Sequence, residues 1–259
     1  MGIGYEAARL LAEQGLRTVL TARKEQQGQE AVEKLSRGLA ASGSEGSVEF
    51  HQLDISNHES VQRFADWARE HLGQVDILIN NAGMAYKGSV FGYQEARNTM
   101  ATNFYGTADV CETLKPLLPK GARVVNVCSS AGKLRIIQSE KLRARLEGAT
   151  SLQDVSDFTD SFLEAIKQGR HQQEGWPSSM YGMSKAVEAA YTRVLAEELQ
   201  EKGVMVNACC PGWCATDMTS WGGTKSAAEG ADTPVWLALL PPSQFVTGGF
   251  FRERGHEDF

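Results

Sequence analysis

The 259-residue sequence has no long hydrophobic run, no excess of basic residues and no charged N-terminal leader. The longest apolar stretch near its end, Val235 to Leu240, is far too short to cross a bilayer. No basic segment followed by an apolar run opens the chain, so no secretory signal is predicted. The formal net charge is −6 with scattered lysines and arginines, which argues against nucleic acid or an anionic membrane as the main partner.

Cysteine is scarce as well. Five cysteines, an odd number without the spacing of a disulfide framework, suit a reducing compartment, so a cytoplasmic location is expected. Cys209, Cys210 and Cys214 lie close together, but no second pair of ligands stands at metal spacing, and no metal site is predicted.

Helical and strand-like segments alternate along the chain. Helices are predicted at 3–13, 24–40, 57–71, 94–117 and 180–202, and strands at 17–22, 48–53, 75–80, 123–128 and 204–209. Continuous apolar runs between helices are typical of a parallel sheet covered on both faces. The sequence therefore predicts one α/β domain over residues 1–259, a doubly wound, Rossmann-like parallel sheet with three αβα layers.

Tyr181 and Lys185 are four residues apart in a predicted helix, so they lie on one face about one turn apart. An ammonium beside a phenol favours the phenolate and lowers the phenol's pKa from its reference near ~10. Such a tyrosine can exchange a proton near neutral pH, as carbonyl reduction requires. The pattern also arises by chance, with the lysine extending past an aromatic ring. Of the six tyrosines, only Tyr181 has a lysine four residues later.

Further motifs accompany this pair in a fixed order. They are Gly2-Ile3-Gly4, Asn80-Asn81-Ala82-Gly83, Asn103, Ser129-Ser130-Ala131-Gly132 and Pro211-Gly212. With Tyr181 and Lys185 between the last two, the chain resembles the short-chain dehydrogenase/reductase family. The runs 173–179 and 207–213 resemble its monomeric, cytosolic, NADPH-dependent carbonyl reductases. This resemblance implies hydride transfer from NADPH to the carbonyl of a ketone, aldehyde or quinone.

The resemblance also implies a set of cofactor contacts. They are Gly2, Ile3, Gly4, Arg23, Asp54, Ile55, Asn81, Ala82, Gly83, Tyr181, Lys185, Pro211, Gly212, Cys214 and Thr216. Backbone amides at a helix N-terminus attract a pyrophosphate, although Gly2 and Gly4 could form an ordinary turn. Arg23 stands where NAD enzymes place an acid, and an arginine there suits a 2′-phosphate, unless it is simply solvated. Asp54 could instead cap a helix.

For catalysis the resemblance implies Ser129, Tyr181, Lys185 and Asn103. Tyr181 would protonate the carbonyl oxygen and Ser129 would hydrogen-bond it. Lys185 would lower the pKa of Tyr181 and bind ribose hydroxyls, and Asn103 would kink its helix and hold a water molecule. For Asn103 the alternative is an exposed polar position on a helix.

The serine assignment depends on register. Ser129 rather than Ser130 fits the family's Ser-x-x-Gly spacing, which ends at Gly132. Turn capping after a strand is the alternative for both serines.

The chain differs from an ordinary doubly wound fold in two places. A polar, partly helical insertion at about 133–177 separates Ser129 from Tyr181, and in the carbonyl reductases it covers the dimerisation surface, which implies a monomer. The first strand, with the first glycine of the phosphate-binding turn, is missing before Gly2. An incomplete product is expected from this, and direct pairing of strands 17–22 and 75–80 is the alternative.

The substrate pocket is predicted from apolar residues, mostly after Pro211. Substrate contacts are expected from Ser129, Tyr181 and Trp213, with Trp176, Trp221, Met218 and Tyr86 as further candidates for the wall. Two other functions stay open: a non-catalytic nucleotide-binding or interaction protein on this scaffold, and an inactive, N-terminally truncated product.

Overall fold

The structure, a computed structural model, describes residues 2–259. Its first half comprises α1 (Ile3–Glu13), β1 (Arg17–Ala22), α2 (Glu25–Ser42), β2 (Ser47–Gln52), α3 (His58–His71), β3 (Ile77–Asn80), α4 (Tyr93–Met100) and α5 (Thr107–Leu114). Its second half comprises β4 (Arg123–Val127), α6 (Glu140–Glu147), α7 (Leu152–Lys167), α8 (Met180–Leu199), β5 (Met205–Cys210), α9 (Ala227–Ala238), β6 (Phe250–Arg252) and β7 (Gly255–Glu257). The predicted α/β alternation is confirmed.

The helix predicted at 94–117 contains a local irregularity. Between α4 and α5 the backbone forms a π-helical segment, Ala101–Gly106. A π-segment is rare and widens one turn of a helix, which changes the direction of the side chains it carries. Asn103 lies in this segment.

The strands form two separate sheets. One consists of β1 and β2, which are parallel. The other has the order β3-β4-β5-β6-β7, parallel except for β7, which pairs antiparallel with β6. Among residues 2–259 no strand hydrogen-bonds the two sheets together, so the alternative expectation of direct β1–β3 pairing is wrong.

Helix α1 joins the two sheets by packing against both. Ala8 and Ala12 lie in one cluster with side chains of α2 and with Val48 of β2. Ala7 and Leu11 lie in another, with Val125 and Val127 of β4 and the buried face of α9. Because two adjoining faces of α1 contact different sheets, this helix sets their relative placement.

The insertion folds into α6 and α7, which pack on the core. Phe158 and Phe162 of α7 are fully buried in the same cluster as Met183 and Val187 of α8. Trp176 is buried there too, with its ring 4.9 Å from that of Phe158. The expectation that Trp176 lines a substrate pocket is therefore wrong, since this side chain fills the core beneath the insertion.

Three elements near the C-terminus were not predicted: α9, β6 and β7. Helix α9 contains Pro234 in its interior. Because a proline ordinarily kinks or breaks a helix, the sequence pattern does not indicate a helix here. The usable signal was the capping box, in which Ser226 and Glu229 each satisfy the other's backbone amide. The strands are only three residues long, below the length at which alternation is readable.

Candidate active site

The serine turn and the tyrosine helix approach each other unusually closely. Ser129 to Gly132 form a tight turn directly after β4. A Cβ on Gly132 would lie 2.6 Å from the backbone N of Ala186, and one on Gly182 would lie 2.7 Å from the carbonyl O of Ala131. Both glycines are therefore needed for the turn to rest on the first two turns of α8.

This contact brings Ser129 to Tyr181. The Ser129 hydroxyl lies near enough to the Tyr181 phenol to lower its pKa, and it accepts a hydrogen bond from the Ala131 amide at 3.2 Å. The same Ser129 hydroxyl thus caps its own turn and lies beside the Tyr181 phenol. The Ser130 hydroxyl is buried and makes no hydrogen bond to any part of the chain that the structure describes. The geometry therefore favours Ser129 over Ser130 as the serine of the site, and so does the spacing between Ser129 and Gly132.

The pKa of Tyr181 is raised, not lowered as the sequence predicted. Burial of the phenol is the largest cause, and it outweighs the opposing charge of Lys185. The charge of Glu188 adds to the increase, whereas the nearby Ser129 hydroxyl opposes it. Residue spacing reveals the ammonium beside the phenol, but it reveals neither the desolvation of the phenolate nor the second charge nearby.

Lys185 is buried, with 4% of its surface exposed, and its ammonium has two partners. It donates to the carbonyl O of Val127 at 2.9 Å and to Oε2 of Glu188 at 2.6 Å. Burial alone would lower the pKa of Lys185, but Glu188 and Tyr181 more than reverse this, so its pKa is raised. Lys185 stays positively charged at neutral pH.

Glu188 is a site residue that sequence reasoning missed. It lies three residues after Lys185, is fully buried, and has a pKa raised by burial to about 7 despite the adjacent ammonium. The available signal was an isolated carboxylate in the otherwise apolar run 186–190. Charged residues are almost never fully buried unless paired, and Lys185 is the pairing cation.

Asn103 is also fully buried, so the alternative of an exposed helix position is wrong. Its side-chain oxygen accepts from the Met84 amide at 2.8 Å, and its amide donates to the Met84 carbonyl and to the Ser184 hydroxyl, both at 2.9 Å. Ser184 in turn donates to the Tyr181 carbonyl at 2.8 Å. Asn103 therefore ties the loop after β3 to the first turn of the tyrosine helix.

The predicted phosphate-binding glycines start α1. Gly2 is its N-cap and has no side chain to satisfy the first amides. A Cβ on Gly4 would lie 2.7 Å from the side-chain amide of Asn81, so the helix start abuts the loop after β3. In that loop a Cβ on Gly83 would lie 3.7 Å from the Lys185 ammonium. The glycine helix and the lysine thus flank one loop, 81–83, which includes Ala82.

Arg23, Asp54 and Ile55 follow the ends of β1 and β2. Arg23 is exposed, and among residues 2–259 no carboxylate pairs with it. Asp54 accepts bonds from the amide and hydroxyl of Ser56, at 3.0 and 2.7 Å, so it shapes the turn after β2 and the helix-capping alternative is wrong. Asn57, not Asp54, caps α3. Ile55 lies against the π-segment, where its carbonyl would be 2.6 Å from a Cβ on Gly106.

The loop after β5 carries the remaining candidates, Pro211, Gly212, Trp213, Cys214 and Thr216. Gly212 has a φ of 85°, a backbone conformation that favours glycine. Cys214 is buried, and its Sγ would be 2.4 Å from a Cβ on Gly230, close to the Ile3 side chain. Trp213 is 59% exposed. The loop therefore spans from the glycine helix to the surface.

These contacts fit a dinucleotide. Amides at the start of α1 are open to a pyrophosphate, and glycines line the approach from there to Lys185. At the carboxyl end of β1 stands an unpaired cation instead of the acid expected with NAD. Arg23, Asp54, Asn81, Ser129 and Pro211 each follow the carboxyl end of a parallel strand, where ligands bind in open α/β sheets.

Other kinds of site are not found in residues 2–259. No group of three or more His, Cys, Asp or Glu side chains could hold a metal ion there. Within the same range no helix is long and apolar enough to span a membrane. All five cysteines are buried and unpaired.

The fold and the Ser129, Tyr181 and Lys185 cluster define a dinucleotide-dependent oxidoreductase of the α/β class. Residues 1–141 match the family described as short chain dehydrogenase, and residues 167–234 match one described as Enoyl-(Acyl carrier protein) reductase. The chain belongs to the short-chain dehydrogenase/reductase family.

Within this family the chain is similar to carbonyl reductases. It is 43% identical to carbonyl reductase (NADPH) 1 of Rattus norvegicus over 253 residues, 93% of this chain and 88% of the relative. The same enzyme of Homo sapiens is 44% identical over the same shares.

Solved structures with the same fold include two plant reductases. Salutaridine reductase from Papaver somniferum has a TM-score of 0.86 at 31% identity and covers 96% of each chain. Menthone neomenthol reductase from Mentha piperita has a TM-score of 0.83 at 29% identity, over 97% of this chain and 94% of its own.

Proposed function

We propose that this protein is an NADPH-dependent carbonyl reductase that converts a ketone, aldehyde or quinone carbonyl to an alcohol. One observation carries the proposal: the partly exposed Ser129 hydroxyl and Tyr181 phenol lie together with the buried Lys185 ammonium beside the loop 81–83. Its relatives include enzymes named carbonyl reductase (NADPH), and their similarity extends over nearly the whole chain.

Tyr181 is the proposed proton donor. A phenol whose pKa is raised keeps its proton at neutral pH and can give it to a carbonyl oxygen that gains negative charge. The Ser129 hydroxyl, which lies beside the phenol, would hydrogen-bond the same oxygen and stabilise that charge. The ammonium of Lys185 would then stabilise the tyrosinate that remains.

The cofactor would be held mainly by backbone groups. The start of α1, at Gly2, Ile3 and Gly4, would receive the pyrophosphate, and Arg23 the 2′-phosphate of the adenosine ribose. When bound, NADPH supplies the hydride that reduces the carbonyl carbon. The third proton of the Lys185 ammonium is free for a ribose hydroxyl, because its other two reach Val127 and Glu188.

Other cofactor contacts are proposed by position. Asp54 and Ile55 would border the adenine, and Asn81, Ala82 and Gly83 would bring backbone close to the adjoining ribose. The backbone of Pro211, Gly212 and Cys214, with the side chain of Thr216, would contact the nicotinamide amide. Asn103 would hold the loop 81–83 in place through its two bonds to Met84.

The substrate would bind against the exposed apolar residues of the loop after β5. Trp213, Met218 and Trp221 are all exposed, and Trp221 sits in a left-handed conformation with a φ of 64°. Bulky apolar side chains at the mouth of the site suit aromatic ketones and quinones.

A monomeric, cytoplasmic protein is the accompanying proposal. Helices α6 and α7 cover part of α8, and Tyr105 beside α5 donates to Asp160 of α7 at 2.8 Å, so these faces are occupied within one chain. Five unpaired, buried thiols suit a reducing compartment. Sedimentation at increasing protein concentration should give one species with the mass of a single chain.

The Tyr181→Phe variant tests the catalytic proposal. Removing the hydroxyl deletes the proton donor but leaves the ring, so kcat for carbonyl reduction should fall about 10²- to 10⁴-fold. The dissociation constant for NADPH, measured by fluorescence titration, should change little. Tyr105→Phe removes a hydroxyl outside the cluster and should leave both quantities unchanged.

Two outcomes would contradict the proposal. Undiminished turnover by Tyr181→Phe would exclude this phenol as the donor. Tight NADPH binding by the wild-type protein without oxidation of NADPH in the presence of any carbonyl tested would favour the second candidate, a nucleotide-binding protein on the same scaffold.

A further inference from the structure

The side chain of Glu188 has no access to solvent, whether it is ionised or protonated. Its relative exposure is 0%, and among residues 2–259 its Oε1 finds no hydrogen-bond partner. Burying a carboxylate costs several kcal/mol unless good partners compensate it. A half-satisfied carboxylate beside the proposed proton donor therefore needs a functional explanation.

The groups around Glu188 leave one cation to pair with it. Lys185 and Tyr181 face it from its own helix α8. Three thiols face it from other elements: Cys128 after β4, Cys209 on β5 and Cys111 on α5. Burial raises the pKa of each thiol, so all three are neutral at physiological pH. The charges that act on Tyr181 in this cluster are thus those of Lys185 and Glu188.

We propose that Glu188 is a positioning residue that holds the Lys185 ammonium and offsets its charge, so that Tyr181 keeps the proton it donates in carbonyl reduction. The contact of 2.6 Å between Oε2 and Nζ fixes the ammonium on the side of Val127. The offset biases the site toward reduction, which needs the phenol, and away from alcohol oxidation, which needs the phenolate. This inference rests on the proposed function.

The effects on the pKa of Tyr181 have opposite signs, and Glu188 acts on the side of burial. Burial raises this pKa most and Glu188 raises it further, whereas Lys185 and the Ser129 hydroxyl oppose the increase. Burial raises the pKa of Glu188 itself to about 7. Above that pH, where a phenol next to a lone ammonium would begin to ionise, Glu188 carries its negative charge. Above a pH of about 7, the charge of Glu188 therefore offsets that of Lys185 and keeps Tyr181 protonated.

The test compares Glu188→Gln, which removes the charge but keeps the shape, with the wild-type protein. A carboxylate lost close to an ionising group shifts its pKa by about 1 unit or more, so the phenol should ionise at lower pH. The alkaline limb of the kcat profile for carbonyl reduction should move about 1 pH unit toward neutrality. Ultraviolet titration of tyrosinate in the protein without cofactor, corrected with Tyr181→Phe, should show the same shift.

Glu112→Gln is the matched control. Glu112 also pairs with a lysine three residues away, Lys115, and accepts from Tyr191 at 2.9 Å. It lies outside the proposed site, so its substitution should leave the alkaline limb and the Tyr181 titration in place. Glu188→Asp keeps the charge on a shorter side chain, and it should restore most of the wild-type pH profile.

A loss of activity in Glu188→Gln with an unmoved alkaline limb would mean a purely structural role and overturn the inference. If that variant does not fold, the wild-type titration decides: Tyr181 ionising below the ordinary phenol value near ~10 would overturn it as well. Wild-type activity with no shift in the variant defeats the inference alone. A shifted tyrosine titration in a protein that never oxidises NADPH defeats the proposed function alone.

Discussion

The half of the molecule around β4, α8 and β5 differs from the half around β1 and β2. Every residue of β5 is buried, whereas β1 contains no fully buried residue. The proposed catalytic side chains lie mainly in the half around β4, α8 and β5, where close backbone contacts and internal hydrogen bonds hold them. The proposed cofactor groups in the half around β1 and β2 are the partly exposed start of α1 and Arg23, which is exposed and pairs with no carboxylate among residues 2–259. We therefore expect packing to govern the chemistry, and groups open to solvent to govern cofactor affinity.

Replacing Ser129 with alanine should give a very large effect within the packed half. Loss of one hydrogen-bond donor to a developing oxyanion lowers kcat about 10²- to 10³-fold. Steady-state kinetics should show this fall while the dissociation constant for NADPH stays constant. Ser161→Ala removes a hydroxyl from the insertion surface and serves as the control. A weakened affinity with an unchanged kcat would place Ser129 on the cofactor side.

Gly132→Ala tests the close approach itself. The new methyl group would lie 2.6 Å from the Ala186 nitrogen, so the serine turn must move away from α8. We expect the free energy of unfolding to fall by about 1–3 kcal/mol, with a parallel fall in kcat. Gly38→Ala is the control, because Gly38 lies in α2 with open space around it and alanine should be tolerated or mildly stabilising. Equal behaviour of the two variants would contradict the packing argument.

Arg23→Gln probes the open half. Losing a charged hydrogen bond to the 2′-phosphate costs about 1.5–3 kcal/mol, which corresponds to an increase of about 10- to 100-fold in the KM for NADPH. The value of kcat should stay the same, since Arg23 is remote from the cluster in the fold. NADH, which lacks that phosphate, should bind both proteins equally. A lower kcat with unchanged KM would contradict the division between the halves.

The smallest expected effect is on the way the free energy of unfolding depends on pH. Burial raises the pKa of Glu188 from 4.5 to about 7, so the folded state binds this proton more tightly than the unfolded state. Its contribution to the free energy of unfolding is full below pH 4.5 and is lost as the pH rises through about 7. Wild-type stability relative to Glu188→Gln should decline across that window in chemical denaturation. Parallel curves for the two proteins would contradict the raised pKa.

Much of the fold was predictable because its long elements carry strong signals. Helix α1 and strand β1 have the predicted bounds, and Gly15, with a φ of 83°, ends the first helix as expected. The short strands β6 and β7 and the proline-containing α9 were missed, since three-residue strands lack a readable period.

The sequence proposed three of the clustered residues but neither Glu188 nor the electrostatics of the cluster. Spacing identified Ser129, Tyr181 and Lys185, and the structure brings the three together. The direction of the Tyr181 pKa shift could not be obtained from spacing, because burial is a property of the whole packed core. Glu188 lies three residues after Lys185 on α8, so helical spacing alone places the two side chains on one face. What spacing could not show is that both are buried.

The role of Trp176 shows the same limit. Its apolar side chain before the tyrosine helix suited a pocket wall, but two phenylalanines of α7 enclose it. Whether this tryptophan faces a pocket or the core depends on how the insertion packs. The periodicity of apolar residues in the sequence does not determine that packing.

The most direct test of the central claim is a titration of the wild-type protein with NADPH, followed by addition of menadione or isatin. NADPH fluorescence should change saturably as the cofactor binds, and absorbance should then fall as each carbonyl is reduced and NADPH is consumed. Absence of binding, or binding with no consumption of NADPH, would contradict the account.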